Sequence, residues 1–404
     1  MKRFLILVGL LIFNVGFAQE METLIEIALE NSPEIEKFEL QHEIVKEKVN
    51  EVNNIPNTEV GFGYFISEPE TRTGAQRYKV SVKQMLPWFG SITARENYVG
   101  SLADAQYEDL IIAKRKLIAS VSQSYYNLNA LKAQKAVLIE NMELLNTFEN
   151  LALTYVEVGK SSAVDVLKLQ MRQNELKQLH SILEFNYLAE QTNLNKLLNR
   201  DKDTPIEISD NLIIPESSEV SSQKNIELHP EILKFDKLYQ SVVQSELLNQ
   251  KEKNPMIGFG IDYINVEERT DMDFSDNGKD ILMPMVALTI PIFNKKYKSQ
   301  TRQNELQQQE IIAQKQERTN TLEAALDKAI NDRYSAIISF ETQQKNLIQA
   351  KNAEEILIKN YETGTIDFKD VLDIQELQIK FQLAQIDAVK SYYVQSSIIN
   401  YLSL

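Results

Sequence analysis

The sequence predicts a mainly helical fold with a β-barrel section, built as two tandem copies of one plan. Three observations predict it: long runs without helix breakers, short motifs that recur in the same order, and alternating apolar segments between the runs. The 404 residues include only 12 glycines and 10 prolines. Because both residues interrupt regular structure, a chain this poor in them contains very long uninterrupted elements.

Charge and residue counts exclude several classes of protein. Asp and Glu number 58 against 43 Lys and Arg, a net charge of −15, whereas a nucleic-acid binder needs a basic face. The chain has no cysteine, which excludes disulfides, thiolate metal sites and cysteine nucleophiles. Its three histidines are far apart in sequence, and no nucleophile–base set is present. We therefore expect no enzyme activity, no cofactor and no metal site.

Residues 1–19 have the pattern of a secretory signal peptide. Lys2 and Arg3 precede an apolar run at 4–13, and Gly16 and Ala18 supply small residues at a cleavage site. Ten apolar residues are too few to span a bilayer, and no later run approaches ~20. The protein is expected to leave the cytoplasm and to enter a membrane only as strands.

The remaining chain reads as an internal duplication. Residues 86–90, Leu-Pro-Trp-Phe-Gly, recur as Ile-Pro-Ile-Phe-Asn at 290–294. The pattern Tyr155, Gly159, Asp-Val-Leu at 165–167 recurs around 361–372. The predicted organisation is a signal peptide at 1–19, a first repeat at 20–205, an inter-repeat linker at 206–228 and a second repeat at 229–404.

Four runs without Gly or Pro predict two long helical hairpins, one in each repeat. The runs lie at 101–158, 160–204, 292–363 and 365–404 and are rich in Gln, Glu, Lys, Leu and Ala. The longest would reach roughly 100 Å as helices, too long to be buried inside one domain. In the last run two heptad stripes, starting at Leu372 and Ile374, lie about 200° apart. Opposed stripes favour the wall of an α-barrel; a helix buried on all sides of a bundle is the alternative.

Between the helices, four segments of about ten residues alternate apolar with small or polar residues. They lie at 60–67, 78–84, 257–263 and 281–290, with the length and period of outer-membrane barrel strands. Because four strands cannot close a barrel and open edges are not tolerated in lipid, several chains must contribute. Soluble hairpins on a helical stalk are the alternative.

Two ligand motifs are rejected. Asp271, Asp273 and Ser275 resemble the opening of a calcium loop, but Asp276 stands at the glycine position and Leu282 at the closing glutamate position. The two Gly-x-Gly pairs lie inside predicted strands rather than at a strand-to-helix turn, which excludes a dinucleotide site.

The duplicated Pro-Trp-Phe-Gly and Pro-Ile-Phe-Asn steps and the duplicated Tyr…Gly…Asp-Val-Leu hairpins resemble the TolC-type outer-membrane efflux family. The resemblance implies a homotrimer in which four transmembrane strands per chain complete a 12-stranded barrel in outer-membrane lipid. Twelve helices then extend through the periplasm to a periplasmic adaptor and an inner-membrane pump. The implied function is a passive duct for efflux or export. A non-pore periplasmic coiled-coil scaffold or adhesin is the alternative.

The same resemblance implies roles for residues at the hairpin turns. It makes Asp165, Tyr361, Asp370 and Asp373 parts of the periplasmic gate or lumen, with six carboxylates from Asp370 and Asp373 in a trimer. The positions expected to form the tip and contact the adaptor are Gly159, Gly364 and Thr365.

Two features of these turns qualify that expectation. The gate arginine of the family falls at Ile366, so that charged latch is missing or replaced. Ser162-x-x-Asp165 and Asp367-x-x-Asp370 also resemble helix caps, so dipole stabilisation is an alternative role for Asp165 and Asp370.

Overall fold

The computed structural model describes residues 19–159, 162–208, 212–215, 226–271, 273–363, 365–366 and 368–403. The predicted signal peptide therefore lies, apart from Gln19, outside the described residues. Gly364, Asp367 and 13 of the linker positions, 209–211 and 216–225, also lie outside them.

Helices make up most of the described chain, as predicted. They are α1 (Gln19–Asn31), α2 (Pro33–Val52), α3 (Ser91–Glu157), α4 (Ala163–Leu197), a 3₁₀ turn (Ile226–Leu228), α5 (Pro230–Glu252), α6 (Lys296–Glu362) and α7 (Phe368–Ser403).

The two longest helices, α3 and α6, each contain 67 residues, which corresponds to about 100 Å. The first begins nine residues before Gly100, which the breaker-free run did not anticipate. A glycine within a helix costs only about 1 kcal/mol relative to alanine, and no neighbouring atom lies within 4 Å of the Cβ position of Gly100. The helix therefore continues through Gly100 without a break.

Four long antiparallel strands form one sheet in the order β1-β3-β4-β5, and a two-residue strand β2 pairs with β3. The strands are β1 (Glu59–Tyr64), β2 (Glu70–Thr71), β3 (Gly74–Leu86), β4 (Met256–Glu267) and β5 (Ile281–Thr289). The register between β3 and β4 shifts between Gln76 and Tyr78. Within the described residues, β1 and β5 pair on one side only, so both edges of the sheet are open.

One face of this sheet is apolar and exposed. Phe62 pairs with Val80, and Phe259 pairs with Val286, so these side chains lie on one face; Phe62 is 73% exposed and Val286 is 74% exposed. The opposite face carries glycines and polar residues, and there Lys79 forms an ion pair with the buried Asp262. The sheet is therefore amphipathic, as the sequence alternation predicts.

The chain divides into two compact units, each drawing on both repeats. The first, the helical unit, comprises residues up to 37, 111–229 and 319–404. One core cluster of this unit includes Leu145, Phe148, Leu169, Phe368 and Val371. A second, smaller cluster joins Ile214 of the linker to Ala336 and Tyr392.

The second, the sheet unit, comprises 38–110 and 230–318. In it, α5 and α6 are joined by hydrogen bonds around Glu246. Thr301 and Asn304 of α6 donate to the Glu246 carboxylate at 2.9 and 2.8 Å. Asn249 donates to the Tyr297 carbonyl at 2.9 Å. Polar pairing therefore contributes to this helix contact.

Among the described residues, no helix combines the length and the hydropathy needed to cross a membrane.

Candidate functional site

The candidate site is built on the two turns of the long helical hairpins, which both belong to the helical unit. Gly159, after α3, has φ of +73°, and its amide donates to the Val156 carbonyl at 3.0 Å. Glycine adopts this left-handed conformation without steric cost. In the second turn the amide and hydroxyl of Thr365 both donate to the Asn360 carbonyl, at 3.0 and 2.8 Å. In both turns, donors of the turn residues thus form hydrogen bonds with carbonyls at the end of the preceding helix.

Beneath these turns lies a cluster of aromatic rings. The Tyr361 ring lies 4.9 Å from that of Phe368 and 5.6 Å from that of Tyr155, measured between centroids. Phe368 also contacts Phe148 at 5.9 Å. Tyr361 and Phe368 are both buried. The tyrosine that the resemblance assigns to the gate is therefore part of the hydrophobic core that joins the two hairpins.

Asp165 lies in the first turn of α4, directly after the helix cap. Ser162 is the N-cap and accepts a hydrogen bond from the Val164 amide at 3.2 Å. The Asp165 side chain is 15% exposed and lies 3.6 Å from the Lys168 ammonium group. The helix dipole and Lys168 both stabilise a carboxylate at this position.

Asp370 and Asp373 differ from Asp165 in being exposed. Both lie in the first two turns of α7, three residues apart on one helix face. Neither forms an ion pair with any residue in the described part of the chain. The structure thus separates the predicted carboxylates into one half-buried, paired group and two open ones.

Ile366, where the resemblance expects an arginine, packs against the core cluster. At this position of the second turn, an apolar contact therefore stands where the resemblance implies a charged one. Gly364, predicted at the same turn, lies outside the described residues.

Sequence reasoning missed Gln375, which follows these acids on α7. Its side chain is 2% exposed, and among the residues that the structure describes neither its amide nitrogen nor its amide oxygen has a hydrogen-bond partner. Its spacing of four residues from Val371 and Ile379, both in the core, is the signal that could have revealed its burial.

Farther from the turns, residues 212–214 of the predicted linker cover a cavity of about 250 Å³ lined by Tyr126, Ile213 and Phe340 among others. The Tyr393 hydroxyl donates to the Ile213 carbonyl at 2.6 Å. Burial, with the neighbouring Tyr393 and Tyr125, raises the pKa of Tyr126 to about 12. The tyrosines here are neutral near pH 7 and serve as hydrogen-bond donors and packing surfaces.

No group of three or more His, Asp or Glu side chains in the described ranges is arranged to hold a metal ion. The turns carry carboxylates on a helix surface and an aromatic core beneath them. This arrangement suits the lining or the closure of a passage rather than covalent catalysis.

Comparison with known proteins agrees with this geometry. Residues 24–200 match the family model described as outer membrane efflux protein. The fold is similar to that of CusC, with TM-score 0.79, 14% identity, and coverage of 95% of this chain and 92% of that chain. It is also similar to VceC of Vibrio cholerae, with TM-score 0.75, 15% identity and coverage of 95% and 96%. A third similar structure is the MtrE channel of Neisseria gonorrhoeae, with TM-score 0.76, 16% identity and coverage of 95% and 88%. No curated protein sequence matches the chain.

The long paired helices and the four-stranded amphipathic sheet have the fold of the TolC-type outer-membrane channels. The family match covers residues 24–200 of the 404, in the first repeat and short of half the chain. The family match and the fold similarity together support an outer-membrane efflux channel that extends into the periplasm, and the matched family implies a trimeric channel in a tripartite system.

Proposed function

We propose that three copies of this chain close into a passive duct that joins a periplasmic adaptor and an inner-membrane pump to the cell exterior. The pump supplies the energy, and the duct supplies a continuous path and a closure at the helical tip. The single observation that carries the proposal is the four-stranded sheet with one exposed apolar face and two open edges.

The energetics of an open sheet edge support closure by other copies. In lipid, each unpaired backbone group costs several kcal/mol because no water can satisfy it. The β5 edge of one copy pairing with the β1 edge of the next removes this cost around the whole ring. Four strands from each of three copies give a closed barrel of twelve.

The long helices carry exposed apolar side chains that a single copy leaves uncovered. On α4 these include Ile182 and Phe185, the latter 72% exposed. On α6 they include Ile338, which is 65% exposed, and Ile348. Large apolar patches on a folded surface mark contacts with other proteins, and neighbouring copies in a ring of helices would cover them.

For the tip, we propose that Asp370 and Asp373 form an acidic throat. Threefold symmetry would bring six exposed carboxylates together, and such a group attracts cations. Asp165, half-buried and beside Lys168, serves mainly to stabilise the start of α4. Tyr361 keeps the two hairpins packed together beneath the throat.

Adaptor contact at the turns is proposed from their exposed apolar residues. Val158, Val164 and Leu167 are all more than half exposed around Gly159. Together with Thr365 they would present a short apolar surface to the helices of an adaptor.

The duct is tested by single-channel recording from the full chain in planar bilayers. We expect discrete conductance that favours cations and is blocked by multivalent cations from the periplasmic side. Asp370→Asn with Asp373→Asn should weaken both the block and the cation selectivity, while the yield of trimer stays normal.

Two further results distinguish the roles of the acids. Asp165→Asn should leave cation block unchanged and lower helix stability by about 1 kcal/mol. Unchanged block in the double variant would reject the acidic throat, and the absence of any conductance from assembled protein would reject the duct.

A further inference from the structure

The end of the sheet that continues into the helices carries two exposed apolar loops. They follow β3 and β5, at matching positions of the two repeats. Phe89 is 80% exposed and Phe293 is 99% exposed, and their neighbours Trp88 and Ile292 are also exposed. Both loops continue the apolar face of the sheet beyond its last strand residues.

Lysines surround these loops. Lys251 and Lys253 come just before β4, while three more lysines follow Phe293 in the segment leading into α6. Residues 281–304 contain four basic residues and no acidic one, in a chain with a net charge of −15. The five lysines are Lys251, Lys253, Lys295, Lys296 and Lys298, all exposed.

The sheet topology brings these residues together. In the antiparallel order β3-β4-β5, the end of β3, the start of β4 and the end of β5 lie at the same end of the strands. Leu86 pairs with Ile257, and Ile257 pairs with Leu288, so the three segments start about 5 Å apart. A Cβ placed at Gly90 would lie 3.5 Å from the Lys251 ammonium nitrogen, so this lysine reaches the Trp88–Phe89 loop.

These lysines differ from several other cations of the sheet unit, which are paired. Arg95 is paired with Glu252, Lys234 with Asp109 and Lys315 with Asp236. In the described part of the chain, none of the five lysines has a carboxylate partner within 4 Å. Their charge is therefore available to an outside anion.

We infer that this basic–aromatic collar, formed by the two apolar loops and the five lysines, binds anionic phospholipid headgroups of the leaflet on the helical side. The inference rests on the proposed placement of the sheet in the membrane. Exposed aromatic residues next to an apolar face lie at headgroup depth. Lysines at that depth attract anionic lipid, each by up to roughly fivefold in binding constant.

The charge pattern favours lipid over a protein partner. The apolar loops directly follow strands whose exposed face meets lipid in the proposed assembly, and the lysines lie beyond the ends of the strands. A lipid leaflet can contact the collars of all copies in the assembly at the same time, and this contact needs no partner of complementary shape.

Trp88 makes the inference directly measurable, because it is the only tryptophan in the chain. The full-length protein is reconstituted in phosphatidylcholine vesicles that contain brominated phosphatidylglycerol or, at equal mole fraction, brominated phosphatidylcholine. Bromine on the acyl chains quenches tryptophan on contact, so the quenching ratio gives the relative association constant. We expect about a fivefold preference for phosphatidylglycerol at low salt, lost at high salt.

The five-lysine variant, with glutamine at each position of the collar, should lower this preference to about one. The matched control also changes five exposed lysines of the helical unit, Lys177, Lys345, Lys351, Lys359 and Lys380, to glutamine and should keep it. Equal quenching by both lipids in the unmodified protein, or an unchanged preference in the five-lysine variant, would overturn the collar and leave the membrane placement intact. No quenching by either lipid would overturn the membrane placement itself, and the collar with it.

Discussion

Single residues in the helical tip have roles that their types alone do not reveal. Ser162 was expected as a cap from its spacing to Asp165, and the structure confirms the cap. The pairing of Asp165 with Lys168 follows from helix spacing, but the degree of burial depends on the packing of Val166 and Leu169 in the core. Whether a carboxylate on a helix face is covered depends on which helix lies beside it, and one sequence does not contain that information.

Glu246 offers a test of polar pairing at the residue scale. Burial acts to raise the pKa of Glu246, but hydrogen bonds from Asn304, Thr301, Gln250 and Asn249 outweigh it and hold the pKa below its ordinary value. A carboxyl whose pKa is lower in the folded state stabilises the fold above its unfolded pKa, near 4.5. This stabilisation is lost as the pH falls through the folded value.

We therefore expect Glu246→Gln to lower the stability by about 1 kcal/mol at pH 7. The difference from the unmodified protein should shrink as the pH falls below about 4.5. Thermal unfolding followed by circular dichroism measures both effects. Glu305→Gln, which removes an exposed pair with Arg302, is the control and should have little effect. A constant difference at all pH values would contradict the assigned hydrogen bonds.

At the scale of elements, the sequence predicted the helices and the long strands well. The four breaker-free runs became α3, α4, α6 and α7, and the four alternating segments became β1, β3, β4 and β5. The two-residue strand β2 and the irregularity near Arg77 were not predictable. Arg77 forms ion pairs with Glu68 and Glu267, and the contact with Glu267 requires β4 to lie beside β3.

Proline in α6 tests whether the helix is continuous where it is exposed. Ala325 and Ile338 both have exposed side chains, so a substitution there acts through the backbone. Pro at either position removes a helix hydrogen bond and clashes with the preceding turn, which costs about 3 kcal/mol or more. We expect both proline variants to lose assembled protein, measured as the oligomer yield after extraction in detergent.

Ala325→Gly and Ile338→Ala are the controls for these variants. The glycine change costs only about 1 kcal/mol, so assembly should persist. If both proline variants assembled as well as their controls, α6 would not be a continuous wall helix.

For the whole molecule, the central claim is that one chain is an incomplete channel. The sequence predicted this from the number of strands, because four cannot enclose a lumen. The structure adds the open β1 and β5 edges and the exposed apolar side chains of α4 and α6. How three copies meet depends on complementarity between surfaces of different copies, which a single sequence does not contain.

The mass of the detergent-solubilised complex tests this claim most directly. Size-exclusion chromatography with light scattering, corrected for bound detergent, gives the mass of protein in each particle. The account predicts a mass close to three times that of the processed chain, whose full sequence is 46.4 kDa, and resistance of this species to mild detergent. A stable, folded monomer in the same detergent would contradict it.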